Sequence, residues 1–458
     1  MSIVLLNIPP AEIIERRYDK PNFPDPSLGA IFTYLRKNNI ECKVIDSKLE
    51  RLSLTGVIKR LKNIKPNVIG FTSFTHEIER AAYVANLIKE RFTRTKLIIG
   101  GSHVNGLRGQ VLEEFPVFDI AVFGEGEETF AELILNNFTG LESIHGISFK
   151  KGNEVIINRE RAFLQLDKLP PVEWSGFIKA RYYPVFTSRG CAYRCIFCSR
   201  PFGPRVRYRS IDSVVEEVMQ IKESYNPKII YFWDENFCAD KNRVFGLIEK
   251  IKKNSIAKKI KWFCQAHINN LDYTLLKFMK ESGCVRLGIG IESGNGEVLK
   301  KIGKGTTKEK IIQVVGWLKK VRIPFEGHFL LGLPDDNWKS CKETIDFAVK
   351  LNPKFPVFGI VVPYPGTEIY TMAMKGEGGY KIIARRWQDY NKLIGKALEL
   401  KELPRRKLEL LQLYGYISVL FRNFRIFDVF RFIVQFNIDI FSYIKNLSWK
   451  TDRNGRDN

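Results

Sequence analysis

Three cysteines lie close together near the middle of the chain and offer thiolate ligands to a metal. Cys191, Cys195 and Cys198 follow the spacing Cys-x-x-x-Cys-x-x-Cys. Thiolate is the ligand that iron–sulfur clusters take, and three thiolates leave one iron of a four-iron cluster without a protein ligand. A zinc site usually shows two separated pairs of ligands, and neither a second pair nor a nearby histidine completes such a set. The spacing therefore predicts a cluster with one iron open to an outside ligand.

The residues around these cysteines agree with that prediction. Gly190 permits a tight turn, and Phe197 is expected to shield the cluster from water. The loop, which follows an apparent strand at residues 183–188, resembles that of the radical S-adenosylmethionine (SAM) superfamily. This resemblance implies that SAM caps the open iron and is cleaved by one electron to methionine and a 5′-deoxyadenosyl radical. It also implies a reducing partner of the ferredoxin or flavodoxin type.

Alternating strand and helix signals over residues 181–395 predict the elements that position this loop. Six strand–helix units predict a partial (β/α)6 barrel, in which functional residues lie at the C-terminal ends of the strands. The predicted strands are residues 185–188, 229–233, 260–266, 285–291, 326–331 and 358–362.

Polar residues and glycines follow these strands, and the superfamily resemblance implies roles for them. Asp234 and Glu235 are expected to meet the amino group of SAM, with a solvated helix cap as the alternative. Two glycine-containing turns resemble the adenine-side loops, with plain turns as the alternative. The other predicted cofactor contacts are Phe197, Gln265, Glu292, Ser293, Gly332, Pro365 and Gly366, and the predicted catalytic residues are Glu292 and Tyr364.

Residues 1–140 predict a separate domain that precedes the barrel. Its apolar runs are continuous and alternate with helix-like segments, which indicates a doubly wound, Rossmann-like parallel sheet covered on both faces. Ligands of such sheets bind beyond the carboxyl ends of the strands. The predicted strands are residues 3–7, 42–46, 68–71, 96–100 and 120–123.

Three segments at these strand ends resemble the cobalamin-binding domain that is fused to many radical SAM enzymes. They are residues 69–75, 98–104 and 123–129, and the resemblance extends over nearly the whole domain. It implies a Rossmann-like fold with cobalamin bound at the carboxyl edge of the sheet. The predicted cofactor contacts are Thr72, Ser73, Gly100, Gly101, His103, Gly124, Glu125 and Gly126.

One departure from that family concerns the cobalt ligand. Base-off cobalamin domains carry a histidine in the loop after the first strand, and residues 8–28 contain none. We therefore expect no cobalt ligand from this loop. His76 and His103 are the nearest candidates, and contact with the corrin or the nucleotide tail is expected of them rather than cobalt ligation.

A connector and a C-terminal region complete the predicted organisation. Residues 141–180 are expected to form a linker with a small hairpin, and residues 396–458 a basic, aromatic helical region. No uncharged apolar run approaches the length of a membrane-spanning helix. The C-terminal region is expected to pack its aromatic face on the protein, and the alternative is an interfacial helix on an anionic membrane.

Composition limits the partners and the compartment. The 458 residues carry 73 Lys and Arg against 50 Asp and Glu, a net charge of +23 that favours anionic partners. Eight cysteines, three of them clustered and five scattered, and an N-terminus without a basic start predict a cytoplasmic protein, with a peripheral place on the inner membrane face as the alternative. RNA methylthiotransferases carry three further N-terminal cysteines, where this chain has only Cys42, so nucleic acid is not an expected partner.

Together these features predict a cobalamin-dependent radical SAM enzyme. As the resemblance implies, one SAM methylates cobalamin and a second supplies the radical that opens an unactivated carbon of a small-molecule or lipid-like substrate to methylation. One alternative is a ring-forming or oxidative cyclase of the porphyrin cyclase type. The other is a cobalamin or redox sensor without turnover.

Overall fold

The first domain is built on a seven-stranded sheet with the order β2-β1-β3-β4-β5-β6-β7. The computed structural model describes residues 1–10, 21–254, 260–393 and 395–429. Strands β1 to β5 run parallel, and β6 and β7 are antiparallel to their neighbours. The strands are β1 (Ile3–Asn7), β2 (Lys43–Asp46), β3 (Val68–Thr72), β4 (Lys96–Gly100), β5 (Ile120–Val122), β6 (Ile147–Lys151) and β7 (Glu154–Ile157).

Helices cover both faces of this sheet, which explains why its parallel strands are continuously apolar. Val4 and Leu6 are buried on one face, and Ile3 and Leu5 on the other. Asp25 starts the first helix by accepting hydrogen bonds from the amides of Ser27 and Leu28. The helices are α1 (Pro26–Lys37), α2 (Leu54–Ile64), α3 (Ile78–Lys89), α4 (Ser102–Leu107), α5 (Gln110–Glu114) and α6 (Gly126–Leu135).

This arrangement confirms the predicted doubly wound fold and differs from the prediction in two places. Helix α4 was not predicted, because its short run of Ser, His, Val, Asn and Gly has no helical periodicity. The hairpin β6–β7, expected in a linker, extends the first sheet, with Ala121 opposite Ser148. Strand β5 would otherwise be an edge with unpaired backbone groups, which the hairpin satisfies.

The second domain holds a six-stranded parallel sheet with the order β15-β14-β13-β12-β11-β8, as a partial barrel requires. Its strands are β8 (Tyr182–Val185), β11 (Ile229–Phe232), β12 (Trp262–Ala266), β13 (Cys284–Glu292), β14 (Phe325–Leu331) and β15 (Phe355–Ile360). The helices that cover it are α7 (Ile211–Tyr225), α8 (Lys241–Lys253), α9 (Tyr273–Glu281), α10 (Gly296–Lys301), α11 (Lys308–Lys320), α12 (Trp338–Leu351) and α13 (Glu368–Lys375).

The first barrel strand is interrupted just before the cysteines. Strand β8 ends at Val185, and a second short strand, β9 (Ser188–Arg189), pairs antiparallel with β10 (Arg207–Tyr208). Arg189 stands opposite Arg207 in this pairing. The loop that carries the three cysteines is therefore closed at its two ends by a two-stranded ladder.

The C-terminal region begins with a hairpin of β16 (Tyr380–Ile382) and β17 (Leu398–Leu400), followed by α14 (Arg405–Phe421). Helix α14 buries Leu408 and Leu411 in the barrel core. Beyond it, Phe424 and Phe427 are each 89% exposed. Within the described ranges, no helix combines the length and the apolar character needed to cross a membrane. The aromatic residues Phe430, Phe432, Phe436 and Phe441 lie outside the described residues.

Candidate functional site

The three cysteines lie on the loop between β9 and β10. Cys191 is half-buried, Cys195 is buried and Cys198 is exposed. Burial raises the pKa of the Cys191 thiol, and it raises that of Cys195 to about 11. In the part of the chain that the structure describes, no three His, Cys, Asp or Glu side chains gather around a position for a single metal ion. A four-iron cluster, unlike a single zinc ion, binds its thiolates to different irons.

Tyr193, between the first two cysteines, attaches this loop to the barrel. Its ring stacks on that of His267, with the centroids 3.5 Å apart, and its hydroxyl donates to Asn270 Oδ1 at 3.0 Å. The side-chain amide of Asn236 donates to the same oxygen at 3.0 Å and accepts from the His267 amide. These residues follow β11 and β12, so the strand ends hold the loop. The sequence analysis missed Tyr193, whose only signal was an aromatic ring between two predicted ligands.

A buried lysine lies beside the thiols. Lys304 is 6% exposed, and its Nζ is 2.9 Å from Glu292 Oε1. Burial opposes its charge, but the Glu292 carboxylate and the Cys195 thiol raise the pKa of Lys304. Burial and this lysine's charge lower the pKa of His267, whose Nε2 lies 3.0 Å from the Lys304 carbonyl oxygen, to about 3. The sequence analysis missed Lys304 because it follows two other lysines in what reads as an exposed basic turn.

Glu292 ends β13 in an unusual backbone conformation. Its φ of +64° is in the left-handed region, and the register with β14 shifts between Gly290 and Glu292. Such a conformation in a non-glycine residue is strained and is maintained by its surroundings. Gly290 leaves the space for the ion pair, because a Cβ there would lie 2.6 Å from Lys304 Nζ.

Ser293 is placed differently from the prediction. Its hydroxyl lies 3.1 Å from the Thr344 hydroxyl on α12 and accepts from the Asn295 amide. The side chain therefore joins the end of β13 to α12, and the contact of Ser293 with SAM stays a prediction.

Asp234 and Glu235 are adjacent in sequence, but they differ in how many of their carboxylate oxygens accept hydrogen bonds. Asp234 accepts from the Thr187 amide at 2.7 Å and from the hydroxyls of Thr187 and Ser188. Glu235 accepts from the Gly190 amide through Oε2, while its buried Oε1 has no hydrogen-bond partner among the described residues. Burial raises the pKa of Glu235. Asp234 therefore anchors the strand before the cysteines, and of these two carboxylates only Glu235 has a buried oxygen that lacks a partner among the described residues and can be offered to a cation. A contact of Asp234 with SAM stays a prediction.

Gln265 on β12 is exposed and donates to the Tyr231 hydroxyl at 2.9 Å. It lines a cavity of about 490 Å³ whose other walls include Trp233, Phe263 and Arg286. Arg286 stacks on the Phe263 ring and lies 3.4 Å from Glu326. The cavity therefore combines aromatic walls with a pair of opposite charges.

The remaining predicted residues of the barrel lie in packed surroundings. Gly332 makes a left-handed turn, and a Cβ there would lie 3.3 Å from both Leu400 and Leu408, so the plain turn describes it. Phe197 packs against the barrel core. Tyr364 is half-buried, and burial raises its pKa to about 12. Roles for Phe197 and Tyr364 in binding or catalysis stay predictions.

The uncharged residues that were predicted to contact a cofactor in the first domain lie together at the carboxyl edge of its sheet. The Ser73 amide donates to the Gly100 carbonyl oxygen at 3.0 Å, which places Thr72 and Ser73 next to Gly100 and Gly101. Gly101 has a φ of +105°, and a Cβ there would lie 2.5 Å from the Ser73 oxygen. Gly124 has nothing within 4 Å of its Cβ position, so a bulky ligand can approach its backbone.

His103, on α4, also lies at this edge. Both ring nitrogens are buried and have no hydrogen-bond partner among the described residues, and burial lowers the pKa of the ring to about 4. The ring is 4.7 Å from that of Trp387, whose amide donates to Glu79 Oε1 at 3.0 Å. Buried polar atoms without partners suit a ligand, which agrees with a cofactor contact at His103.

The loop after β15 meets the same part of the first domain. A Cβ at Gly106 on α4 would lie 2.5 Å from the Pro365 carbonyl oxygen, and a Cβ at Gly366 would lie 3.2 Å from the Gly106 Cα. The predicted adenine-side residues Pro365 and Gly366 are therefore placed in the contact between the two domains.

Glu125 is committed to protein partners. Its Oε1 lies 2.9 Å from both Arg189 Nη1 and Arg207 Nη2, and its Oε2 accepts from the Leu164 amide at 2.7 Å. Burial alone would raise the pKa of Glu125, but hydrogen bonds from Arg207 and the charge of Arg189 hold it below its ordinary value. Both carboxylate oxygens of Glu125 thus have protein partners, and its cofactor contact stays a prediction. Gly126 starts α6 and packs near Ile31.

Comparisons with protein families agree with the two sites. The family model for the Radical SAM superfamily matches residues 185–348, and that for the B12 binding domain matches residues 20–134. These ranges correspond to the barrel with its cysteine loop and to the first sheet with its glycine-lined edge.

Three known proteins resemble this chain over most of its length, two in sequence and one in fold. An uncharacterized methyltransferase of Pyrococcus horikoshii is 31% identical over 92% of this chain and 92% of its own length. The anaerobic magnesium-protoporphyrin IX monomethyl ester cyclase of Cereibacter sphaeroides is 24% identical over 71% of this chain, which spans 56% of the cyclase. The structure of the radical SAM methyltransferase TsrM from Kitasatospora setae, with cobalamin and a [4Fe-4S] cluster bound, has a TM-score of 0.71 at 17% identity, over 89% of this chain and 84% of TsrM. The likeness to TsrM shows a shared fold.

Proposed function

Because the chain belongs to the B12-binding radical SAM family, we propose that it methylates an unactivated carbon of a small-molecule or lipid-like substrate. It is a radical SAM enzyme whose cofactors are a [4Fe-4S] cluster, SAM and cobalamin. The observation that carries the proposal is the convergence of the cysteine loop, Lys304 and the free oxygen of Glu235 at the strand ends of the barrel.

The residues present fit these cofactors. Cys191, Cys195 and Cys198 would hold three irons, and the amino acid end of SAM carries an ammonium and a carboxylate. The buried Glu235 Oε1 suits the ammonium, and Lys304 suits the carboxylate, because charge-assisted hydrogen bonds are strongest away from water. At the first sheet, the open space beside Gly124 and the unpartnered nitrogens of His103 suit cobalamin.

When bound, the three cofactors supply the radical chemistry and the methyl group, and the protein binds, orients and excludes water. Gly290 makes room for the Lys304–Glu292 pair, and Tyr193 holds the cysteine loop against His267. The cavity of about 490 Å³ is within the range of small-molecule sites. Its aromatic walls and its Arg286–Glu326 pair favour a substrate with an apolar body and a polar group.

The test uses the anaerobically reconstituted enzyme with cobalamin, a chemical reductant and SAM labelled in its methyl carbon. A small-molecule extract of the source cells serves as the substrate pool. Transfer of the label into a product that gains one methylene, together with 5′-deoxyadenosine, supports the proposal. Absence of 5′-deoxyadenosine from enzyme with a full cluster would instead favour a sensor.

Ring formation is the second candidate, and the match to the magnesium-protoporphyrin ester cyclase is the observation that favours it. The same experiment separates the two functions. A product that loses hydrogens and carries no label, formed alongside 5′-deoxyadenosine, identifies a cyclase. A reducing partner of the ferredoxin or flavodoxin type remains part of both proposals.

A further inference from the structure

The two arginines that flank the cysteine loop converge on one carboxylate of the other domain. Arg189 directly precedes Gly190 and Cys191, and Arg207 lies where the loop returns to β10. Both guanidinium groups lie 2.9 Å from the same oxygen of Glu125. Residues 190–206, which include all three cysteines, are thus held at their two ends by a single residue of the N-terminal domain.

Further contacts fix the orientation of both arginines. Arg189 Nη2 is 2.5 Å from Glu127 Oε1, and its guanidinium lies 5.0 Å from the centre of the Phe202 ring. Arg207 donates to the Leu164 carbonyl oxygen at 2.9 Å and stacks on the ring of Phe163 at 4.4 Å. Planar guanidinium groups with several bonds of this kind have little freedom to turn.

Burial makes this arrangement sensitive to the loss of one charge. Glu125, Glu127 and Arg189 are each at most 5% exposed, and Arg207 is half-buried. Two negative and two positive groups balance one another away from water. Removing one carboxylate leaves a buried positive charge uncompensated, which is strongly unfavourable. We therefore expect the loop to move so that its arginines come closer to water.

We propose that Glu125 is a positioning residue, which sets the place of the cysteine loop against the N-terminal domain. Glu127 assists it by orienting Arg189. The inference rests on the proposed function only in placing the cluster on this loop. It assigns to the turn after β5 the task of aligning the loop with the domain that binds cobalamin.

The first experiment compares Glu125→Gln with Glu132→Gln by hydrogen exchange of the full chain without its cofactors. Glu132, on α6, is a matched control because its ion pair with Arg161 is only partly buried. We expect amides of residues 190–206 to exchange about tenfold faster in the first variant, with a far smaller change in β1 to β5. Exchange in the loop that rises no more than in those strands overturns the proposal.

The second experiment uses the reconstituted enzyme and Arg207→Lys, which keeps the charge but loses the fork of two donors. We expect Glu125→Gln and Arg207→Lys each to change the electron paramagnetic resonance spectrum of the reduced cluster, and Glu132→Gln to leave it as in the wild type. Wild-type spectra in both variants overturn the positioning role. Failure of the wild type to assemble a cluster counts against the proposed function, while the exchange experiment still tests the positioning role of Glu125.

Discussion

Glu125 is buried and Glu235 is half-buried; each glutamate follows a parallel strand and contacts a residue in or beside the cysteine loop, yet their bonding differs. Glu125 accepts from two arginines and a backbone amide, and these partners hold its pKa below the ordinary value. Glu235 accepts from the Gly190 amide, its second oxygen is buried without a hydrogen-bond partner among the described residues, and burial raises its pKa.

The difference teaches how to separate structural from binding carboxylates. A carboxylate whose oxygens are occupied by protein donors has no capacity left for a ligand. A buried oxygen without a partner is costly to the folded chain, and such groups cluster at functional sites. Glu125 therefore belongs to the framework, and Glu235 belongs to the site we propose for SAM.

The largest effect is expected at the cysteine loop that both glutamates contact. Cys195→Ala removes a proposed iron ligand, so iron content should fall to background and 5′-deoxyadenosine should not form. Cys42→Ala, a half-buried cysteine of the first domain, is the control and should retain both properties. Normal turnover by a Cys195→Ala protein that lacks iron would contradict the whole assignment.

Glu292 is another buried carboxylate, and its ion pair with Lys304 is expected to stabilise the folded chain. Lys304→Met leaves Glu292 without its ion-pair partner, and loss of one partner of a buried pair costs about 3–5 kcal/mol of unfolding free energy. Denaturant unfolding of the chain without cofactors measures this loss. Lys301→Met, at an exposed position nearby, should change the free energy of unfolding little. Equal stability of the two variants would show that the Lys304 pair is not buried as described.

Glu235→Gln tests the binding side of the comparison directly. A lost charge-assisted hydrogen bond corresponds to about tenfold to hundredfold weaker SAM binding. The unfolding free energy of the chain without cofactors should stay the same or rise, because an unpaired buried charge is removed. Equilibrium binding of SAM to the reconstituted enzyme measures the first effect, and Glu216→Gln on the surface of α7 is the control. Unchanged SAM affinity would show that Glu235, like Glu125, supports the fold and does not bind SAM.

The smallest effect concerns the edge of the first sheet, where His103 has a pKa lowered to about 4 by burial. Between its ordinary pKa of 6.5 and 4, the unfolded chain binds a proton here and the folded chain does not. Stability therefore falls as the pH drops through this window, by about 1.4 kcal/mol per pH unit from this group. His103→Phe should remove that slope in urea unfolding.

The exposed His145 provides the control for this measurement. His145→Gln should keep the wild-type dependence of stability on pH. The same slope in wild type and His103→Phe would show that His103 is not buried in a neutral form. If bound cobalamin changes the part of the pH dependence of stability that comes from His103, this result supports a contact between His103 and the cofactor.

The spacing of residues within short segments of the sequence was enough to predict the cysteine loop and the two sheets. The three cysteines, the continuous apolar strands and the glycines at strand ends each occupy a short stretch of sequence, so the cluster loop and both sheets were predicted with boundaries a few residues off. The interruption of the first barrel strand at Val185 escaped detection, because β8 and β9 form one unbroken run in sequence.

Only the tertiary structure decided which charged groups act together. Glu125 is far in sequence from Arg189 and Arg207. Glu292 forms its ion pair with Lys304, which lies in a segment that the sequence suggests is an exposed turn. Asp234 and Glu235 are adjacent carboxylates that sequence cannot rank. A charged side chain takes its role from the partners and the burial that folding gives it, and neither property is encoded in the residues next to it.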